Sequence, residues 1–396
     1  MDFISVQAAT DLILNETRNY GEESVPFLQA AGRVLAEDIV ADRDFPPFDR
    51  VTMDGFAFRA SDYENGTRTF SILGTQYAGD TAFTVRNEKE AVEVMTGTPL
   101  PQGADSVIRV EDTEVKDGFL ILPDGLETQK NIHKKGVDRK QGDVILKSGN
   151  LLKTPDMAVL ATVGKSEVRV KKRPRIAVIT SGDELVETTQ IPAAHQIRKS
   201  NVYAISEHIR PLCHEISHFH LPDNLQVTTE KLGQFMGSFD VLILSGGVSA
   251  GKKDYMPMAL EQLGVEKIFH KIQQRPGKPM WFGKKGEKLV FALPGNPVSA
   301  FMCAVRYVKP WLQACFGLTQ NMEFALLSRE VSFIPKLSYF MQVQLINEKG
   351  ILKATPNEGH GSGDLANLSD SDGFLELPLR EESQYAEGEV FRVWRY

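Results

Sequence analysis

The segment VLILSGGVSAGKKD (241–254) joins an apolar run to a glycine-containing turn. RIAVITSGDEL (175–185) and KLVFALPGNPVS (288–299) repeat this arrangement, and helix patterns such as YMPMALEQLG (255–264) follow. Continuous apolar runs are typical of parallel strands buried on both faces, and their alternation with helices indicates βαβ units. The sequence therefore predicts an α/β domain whose three loops leave the carboxyl ends of parallel strands, where ligands bind in such sheets.

The turn at 246–252 has the spacing of a nucleotide-binding P-loop. From Gly246 it reads G-x-x-x-x-G-K, but Lys253 stands where a P-loop carries the Ser or Thr that ligates magnesium. The mismatch favours a different anion-binding turn. Such a turn would use unpaired backbone N–H groups at the start of a helix.

HEISH (214–218) matches the H-E-x-x-H zinc signature, which requires a helix. Pro211 and Pro222 leave little room for one, and the segment lies where the second strand of the α/β domain is expected. On a strand the two histidines would lie about 13 Å apart and could not share a metal. A polar strand is therefore the preferred interpretation.

The flanking segments differ in texture from the α/β region. Apolar residues at spacings of three and four predict amphipathic helices near the start of the chain, in ISVQAATDLIL (4–14) and PFLQAAGRVLAEDI (26–39). Short alternating runs such as FTVR (83–86), SVIRVE and FLIL indicate a β-rich module from about 50 to 147. TPDMAVLATVG (154–164) predicts one helix with Thr154 as a cap and Gly164 as its stop. Short strands return after about residue 320.

Composition narrows the class of protein. The chain has 396 residues, a net charge of −7 and three cysteines, Cys213, Cys303 and Cys315, without a CxxC pair. The negative charge argues against a nucleic-acid partner, and no apolar stretch is long enough to span a membrane. The odd thiol count and the absence of a signal-peptide pattern in MDFISVQAATDLIL favour a cytoplasmic protein.

Charged residues in loops are the remaining candidates for chemistry. RPGKP (275–279) and Lys271 gather three cations, and the prolines stiffen the loop that would hold an oxyanion. Asp54, Asp138, Glu184, Asp223 and Asp254 lie in turn-like surroundings, where each alone is an ordinary cap or turn residue. Carboxylates beside an anion site become chemically useful through Mg²⁺ or as acid–base groups.

Together these motifs resemble the molybdopterin molybdenumtransferase family, which includes the C-terminal domain of gephyrin. The matching runs follow the family's order over nearly the whole chain: FPPFDRVTMDGFAFR (45–59), VMTGTPLPQGADSVIRVED (94–112), KKGVDRKQGD (134–143), TSGDEL (180–185), SGGVSAGKKDY (245–255), RPGKP (275–279), LPGNPVSAF (293–301) and GHGSGDLANLSDSDGF (359–374). The resemblance implies a partly helical linking domain (1–47 and 136–173), an inserted β domain (48–135), a three-layer α/β molybdopterin-binding domain (174–318) and a C-terminal β-barrel-like domain (319–396).

The resemblance also implies an activity and its partners. Adenylylated molybdopterin would be hydrolysed with Mg²⁺ and molybdate, the metal would enter the dithiolene, and AMP would leave. The expected assembly is a homodimer in which the β domain of one subunit completes the cleft of the other. A molybdopterin adenylyltransferase and an apo-molybdoenzyme are expected partners.

Site residues are carried over from the family by position. Those expected to be catalytic are Asp54, Thr96, Asp138, Glu184, Asp223 and Asp254, with Asp223 and Asp254 also as metal ligands. Those expected to bind substrate are Ser181, Gly182, Asp183, Ser245, Gly246, Gly247, Ser249, Lys271, Arg275, Lys278, Pro294, Gly295, Asn296, Ser299 and Ser362. The chain departs from the family pattern at Arg139, Lys199, Arg275 and Gln342.

Two other functions compete with the transferase. One is a protein of the same fold that binds molybdopterin or a partner without turnover, for which the charge reversal at Lys199 is the main argument. The other is an adenylyltransferase acting one step earlier. It is less consistent with the chain, because such proteins resemble the α/β domain alone and lack the flanking domains.

Overall fold

A computed structural model describes residues 3–248 and 255–396 of the chain. It begins with α1 (Val6–Leu14), where the Ser5 hydroxyl accepts the Ala8 N–H at 3.1 Å, and this helix packs into the core of the α/β domain. The prediction of a helix at 26–39 is wrong. The segment instead contains β1 (Glu22–Pro26), a 3-10 turn (Phe27–Gln29) and β2 (Ile39–Val40). β1 pairs with residues 167–171, and this distant pairing outweighs the local helical period.

The next segment is the β-rich module that the sequence predicted. Its elements are β3 (Arg50–Val51), β4 (Gly55–Phe58), α2 (Ala60–Glu64), β5 (Thr69–Gln76), β6 (Glu90–Val94), β7 (Ser106–Arg109), a 3-10 turn (Val110–Asp112), β8 (Glu114–Lys116), β9 (Phe119–Ile121) and β10 (Ile132–His133). The main sheet has the order β7-β4-β6-β5-β9-β8, with apolar clusters on its two faces. The predicted strand FTVR is wrong, because its pairing is limited to an isolated bridge between Thr84 and Gln102.

The chain then returns to β1 and β2. β11 (Val144–Leu146) pairs with β2, α3 (Asp156–Thr162) follows, and β12 (Glu167–Lys171) pairs antiparallel with β1. Gly164, at φ +70°, ends α3 as predicted. The predicted Thr154 cap is wrong: Pro155 occupies the N-cap position without a side-chain cap, and the Asp156 carboxylate accepts the Lys153 N–H at 2.7 Å.

The α/β domain contains the parallel strands predicted from the apolar runs. Its elements are β13 (Arg175–Ser181), β14 (Leu185–Val186), β15 (Ile197–Arg198), α4 (Asn201–Ile209), a 3-10 turn (Arg210–Leu212), β16 (Glu215–Leu221), α5 (Leu225–Ser238), β17 (Val241–Ser245), α6 (Met256–Gln262), β18 (Glu266–His270), β19 (Gln274–Arg275), β20 (Trp281–Lys285), β21 (Lys288–Leu293), α7 (Pro297–Cys303), a π-helical segment (Ala304–Val308) and α8 (Lys309–Cys315). The sheet order is β16-β13-β17-β21-β20-β18. The first four strands are parallel, and apolar clusters cover both faces. The strand interpretation of HEISH is confirmed by β16.

The C-terminal region is a closed β-barrel. Its elements are β22 (Glu323–Leu327), β23 (Val331–Ser332), β24 (Ser338–Glu348), β25 (Ile351–Pro356), α9 (Ala366–Ser369), β26 (Gly373–Leu377), β27 (Gln384–Tyr385) and β28 (Val390–Arg395). The order β24-β25-β22-β28-β26 closes through the pairing of β26 with β24. β19 also pairs with β24, which connects the α/β domain to the barrel. In the described parts of the chain, no helix combines the length and the apolar character needed to cross a membrane.

Candidate functional site

A cavity of about 460 Å³ lies at the carboxyl ends of the parallel strands. Residues from the three predicted loops and from the loop after β16 line it together. The predicted site residues in this lining are Ser181, Gly182, Glu184, Asp223, Ser245, Gly246, Gly247, Pro294, Gly295 and Asn296. Because adjacent parallel strands end at the same edge of the sheet, segments far apart in sequence form one concave surface.

Glycines allow the loops of this first cavity to approach each other closely. Gly246 and Gly247 have φ values of +100° and +70°, which other L-residues rarely adopt. A Cβ atom on Gly247 would lie 2.8 Å from Met256 Cγ and 3.0 Å from Ser181 Oγ. The glycines therefore meet both a conformational and a steric requirement of the cavity wall.

Asn201 connects two of the loops, although the sequence did not suggest it as a site residue. Its Nδ2 group donates to Ser245 Oγ at 2.9 Å and to the Gly295 carbonyl at 2.7 Å. Asn201 is the first residue of α4 and lines the first cavity. The sequence feature that could have identified Asn201 is the Ser-Asn pair in IRKSN (197–201), at a strand-to-helix turn. Such residues commonly form hydrogen bonds with neighbouring backbone groups.

Both signs of charge occur in the first cavity. Glu184 and Asp223 supply carboxylates to the lining, and the Glu184 carboxylate lies over Gly182, where an added Cβ would be 2.4 Å from Oε2. Asp183 does not line the cavity; its Oδ1 accepts the Asp223 N–H at 3.2 Å and so braces that loop. Lys199 supplies a cation and forms an ion pair with Glu187.

A second cavity, of about 590 Å³, lies between the α/β domain and the barrel. It shares Pro279, Pro294 and Asn296 with the lining of the first cavity, so the two adjoin. Of the predicted site residues, the second cavity is lined by Arg275, Lys278, Pro294, Asn296, Ser299 and Ser362. The barrel adds polar groups that sequence reasoning did not select, among them Tyr339, Asn357 and His360.

The turn that carries Arg275 and Lys278 is anchored from below. Gln274 is fully buried, its Nε2 group donates to the Gly277 carbonyl at 3.2 Å, and the Tyr307 hydroxyl donates to its Oε1. The Arg275–Pro276 peptide bond is cis. Neither Arg275 nor Lys278 forms a salt bridge with a carboxylate of the described residues. Both cations are exposed and line the second cavity, and the turn that carries them is anchored by Gln274.

Lys271, the third predicted cation, is outside the lining of both cavities. It has a φ of +75°, and its backbone N–H donates to the Met280 carbonyl at 2.9 Å. The structure therefore brings two of the three predicted cations together, and Lys271 lies at the base of the same loop.

Two contacts at the barrel side define the second cavity further. Asn296 Nδ2 donates to Ser362 Oγ at 2.8 Å, and the Val298 N–H donates to the Ser362 carbonyl at 3.1 Å. These bonds connect the start of α7 to the barrel. Gln342, one of the departures from the family pattern, also lines this cavity; its buried Nε2 atom has no hydrogen-bond partner in the described part of the protein.

Asp54, Thr96 and Asp138 lie away from both cavities within one chain. Asp54 Oδ1 accepts the Thr96 N–H at 2.6 Å and the Thr96 hydroxyl at 2.7 Å, and these two bonds lower the pKa of Asp54. Asp138 Oδ1 lies 3.0 Å from His133 Nε2, while Arg50 lies 3.2 Å from His133 Nδ1. Because arginine only donates, Nδ1 is the accepting nitrogen and Nε2 donates to Asp138.

Two predicted residues, Ser249 and Asp254, lie outside the described residues. The proposed metal pair of Asp223 and Asp254 is therefore represented by Asp223 alone. Among residues 3–248 and 255–396, no group of three or more His, Cys, Asp or Glu side chains is arranged to hold a metal ion.

Known proteins match this chain over nearly its full length. Residues 4–164 match the model of the MoeA N-terminal region (domain I and II), residues 177–314 that of a probable molybdopterin binding domain, and residues 325–396 that of the MoeA C-terminal region (domain IV). A molybdopterin molybdenumtransferase from Synechocystis is 39% identical, over 99% of this chain and 100% of that protein. One from Haemophilus influenzae is 34% identical, over 78% and 79%. A solved molybdopterin biosynthesis MoeA protein from Pyrococcus horikoshii superposes with a TM-score of 0.84 at 30% identity, covering 100% of this chain and 99% of that one.

Proposed function

The chain belongs to the MoeA family, and on that basis we propose that it is a molybdopterin molybdenumtransferase of molybdenum cofactor biosynthesis. The proposed substrates are adenylylated molybdopterin and molybdate. In the proposed reaction the phosphoanhydride bond of the adenylylated substrate is hydrolysed, AMP leaves, and the dithiolene sulfurs receive the metal.

The adjoining cavities are the observation that carries this proposal. The first, with its glycine turns and carboxylates, suits the pyrophosphate of the pterin substrate; the second, with Arg275 and Lys278, suits an oxyanion such as molybdate. The two cavities adjoin at Pro279, Pro294 and Asn296, so a bound oxyanion would reach the pterin without leaving the protein. A single-substrate hydrolase would have no need for the second, cationic cavity.

The donor set of the first cavity fits Mg²⁺. Glu184 and Asp223 offer carboxylate oxygens on the same lining, and Mg²⁺ prefers one or two carboxylates together with water and substrate phosphates. These residues would hold the ion, which would neutralise phosphate charge during hydrolysis. Asp254, also expected as a ligand, lies outside the described residues.

A homodimer is part of the proposal, because Asp54, Thr96 and Asp138 lie outside both cavities of their own chain. In a dimer the β module of one subunit would bring these side chains to the cleft of its partner. The hydrogen bonds from Thr96 that keep Asp54 ionised suit a carboxylate at a metal-dependent site. An adenylyltransferase that supplies the substrate and an apo-molybdoenzyme that takes the product are the partners this chemistry requires.

A cytoplasmic location is also proposed. All three cysteines are free thiols, and Cys213 and Cys303 are buried, so the fold has no disulfide to maintain. Burial raises the pKa of Cys213 to about 12, which keeps that thiol protonated and unreactive at neutral pH. A reducing compartment is the ordinary setting for such cysteines.

The proposal is tested by AMP release from adenylylated molybdopterin with Mg²⁺, with and without molybdate, together with reconstitution of an apo-molybdoenzyme. We expect molybdate-dependent AMP release that is lost in Asp223→Ala and Asp254→Ala and retained in Lys231→Met, an exposed control on α5. Tight substrate binding without AMP release would refute the transferase and support the non-catalytic molybdopterin-binding protein.

A further inference from the structure

Lys199 is a partly buried cation in the wall of the first cavity. Its side chain is 9% exposed, although lysine is among the residues least often buried. It follows β15, and its backbone N–H donates to the Val186 carbonyl at 3.0 Å, so its position is fixed by the β14–β15 pairing. A lysine at the cavity entrance without a binding or structural role would remain exposed to solvent.

The hydrogen bonds of Lys199 are only partly satisfied. An ammonium group has three N–H donors, and one donates to the Glu187 carboxylate. The other two have no acceptor among residues 3–248 and 255–396. Glu187 itself is 55% exposed and is not in the cavity lining, whereas Lys199 is 9% exposed and is in that lining. The ion pair therefore points its positive end inward.

The positive charge of Lys199 affects the pKa of a histidine beside the cavity. The pKa of His220 is lowered, first by burial and then by the charge of Lys199. His220 Nδ1 lies 3.2 Å from the hydroxyl of Thr180, which lines the cavity. Glu184 and Asp223 are acidic groups of the same lining, so a phosphate placed there needs a nearby cation to offset them.

We propose that Lys199 contacts the substrate in the first cavity, binding phosphate oxygens of the adenylylated substrate through the two N–H groups that Glu187 leaves open. Glu187 is the counterion that holds the ammonium when no phosphate is bound. The proposal rests on the proposed function for the identity of the substrate. It makes Lys199 a specificity residue for the pyrophosphate portion of the ligand.

The alternative is that Lys199 and Glu187 only staple the loop at 187–196. The two roles predict opposite effects of Glu187→Gln on anion binding. If Lys199 binds phosphate, Glu187→Gln removes a competing anion and tightens anion binding, whereas Lys199→Met weakens it. If the pair is a staple, both substitutions loosen the loop and weaken binding together.

The test is calorimetric titration of the purified protein with inorganic pyrophosphate, without Mg²⁺, for the wild type, Lys199→Met, Lys199→Arg, Glu187→Gln and the control Lys231→Met. We expect Kd to rise about tenfold in Lys199→Met, as for loss of a charged hydrogen bond, and to fall by up to about fivefold in Glu187→Gln. Lys199→Arg, which keeps the charge, should lie close to the wild type.

A second readout separates this inference from the proposed function. AMP release by the wild type tests the function, and the KM for adenylylated molybdopterin in the variants tests Lys199. Turnover by the wild type with a Kd that rises in both Lys199→Met and Glu187→Gln would overturn the contact and leave the transferase intact. Absence of wild-type turnover and of pyrophosphate binding would remove both. Thermal unfolding of each variant checks that the α/β domain is folded.

Discussion

Gly247→Ala provides a sharp test of how the first cavity is built. The new Cβ would lie 2.8 Å from Met256 Cγ, and because Met256 is 1% exposed, any shift of its side chain must displace other core atoms. Overpacking of this kind costs about 1–3 kcal/mol. The φ of +70° adds about 1–2 kcal/mol for a residue with a side chain, partly offset by the reduced freedom of the unfolded chain. We expect a net loss of about 2–4 kcal/mol.

Two other glycines of the same domain separate these contributions. Gly264 also has a φ of +70°, but no atom lies within 4 Å of the point that an added Cβ would occupy, so Gly264→Ala should cost about 1 kcal/mol. Gly237 lies in α5, and an added Cβ there would meet no atom within 4 Å beyond its own helix, so Gly237→Ala should stabilise the domain by about 0.5–1 kcal/mol. The difference between Gly247→Ala and Gly264→Ala then measures the steric contact.

Urea unfolding followed by tryptophan fluorescence is the assay. Trp281 and Trp311 are buried in the α/β domain and report its transition. Trp394, on β28 of the barrel, packs in the same core cluster as Trp311, and its signal is removed by Trp394→Phe in all variants. Gly247→Ala should also raise the KM for substrate, because the new methyl lies 3.0 Å from Ser181 Oγ in the cavity wall. Equal costs for the substitutions at 247 and 264 would refute the steric argument.

Three further predictions concern titration and oxyanion binding. Burial lowers the pKa of His208 to about 3, so between pH 6.5 and 3 the unfolded chain binds a proton at this residue that the native protein does not. The contribution of His208 to the free energy of unfolding should therefore fall by up to about 1.4 kcal/mol per unit decrease in pH there. Urea unfolding at pH 7 and pH 5 should therefore show that the free energy of unfolding decreases by about 2 kcal/mol less in His208→Leu than in the wild type. Equal decreases in the two proteins would contradict the burial argument. Thr96→Val removes one of the two bonds that lower the pKa of Asp54, so an NMR titration should find that pKa raised part of the way to its usual value; an unchanged pKa would show that the hydroxyl bond is unimportant. Arg275→Ala and Lys278→Ala should each raise the molybdate concentration for half-maximal AMP release about tenfold and leave the KM for adenylylated molybdopterin unchanged. A change in that KM alone would show that the two cations bind adenylylated molybdopterin and not molybdate.

Local patterns predicted the α/β domain well because its strands are buried on both faces. Such strands read as unbroken apolar runs, and the loops after them converge wherever the strands are parallel neighbours. The same reasoning failed for PFLQAAGRVLAEDI, where the partner of β1 is β12, far along the chain. Short edge pairings of this kind leave no periodic signal in either segment.

The sequence predicted which loops of the α/β domain line the cavities, but not the contacts between those loops. The glycine turns and the RPGKP loop have recognisable sequences, so they were found. Asn201 was missed because its importance lies in two hydrogen bonds to loops that are distant in sequence. Lys199 was noticed as an unusual charge, but its burial and its pairing with Glu187 depend on the β14–β15 register, which only the fold reveals.

The pairing of β1 with β12 has a consequence for synthesis of the protein. Glu22 and Lys171 are 149 positions apart, so at translation rates of about 5–20 residues per second β1 waits roughly 7–30 s for its partner. The β module made in that interval has its own apolar clusters, and neither cluster includes a residue of β1 or β12. Glu22 and Glu23 place negative charge on the waiting strand, which discourages it from pairing with another nascent chain.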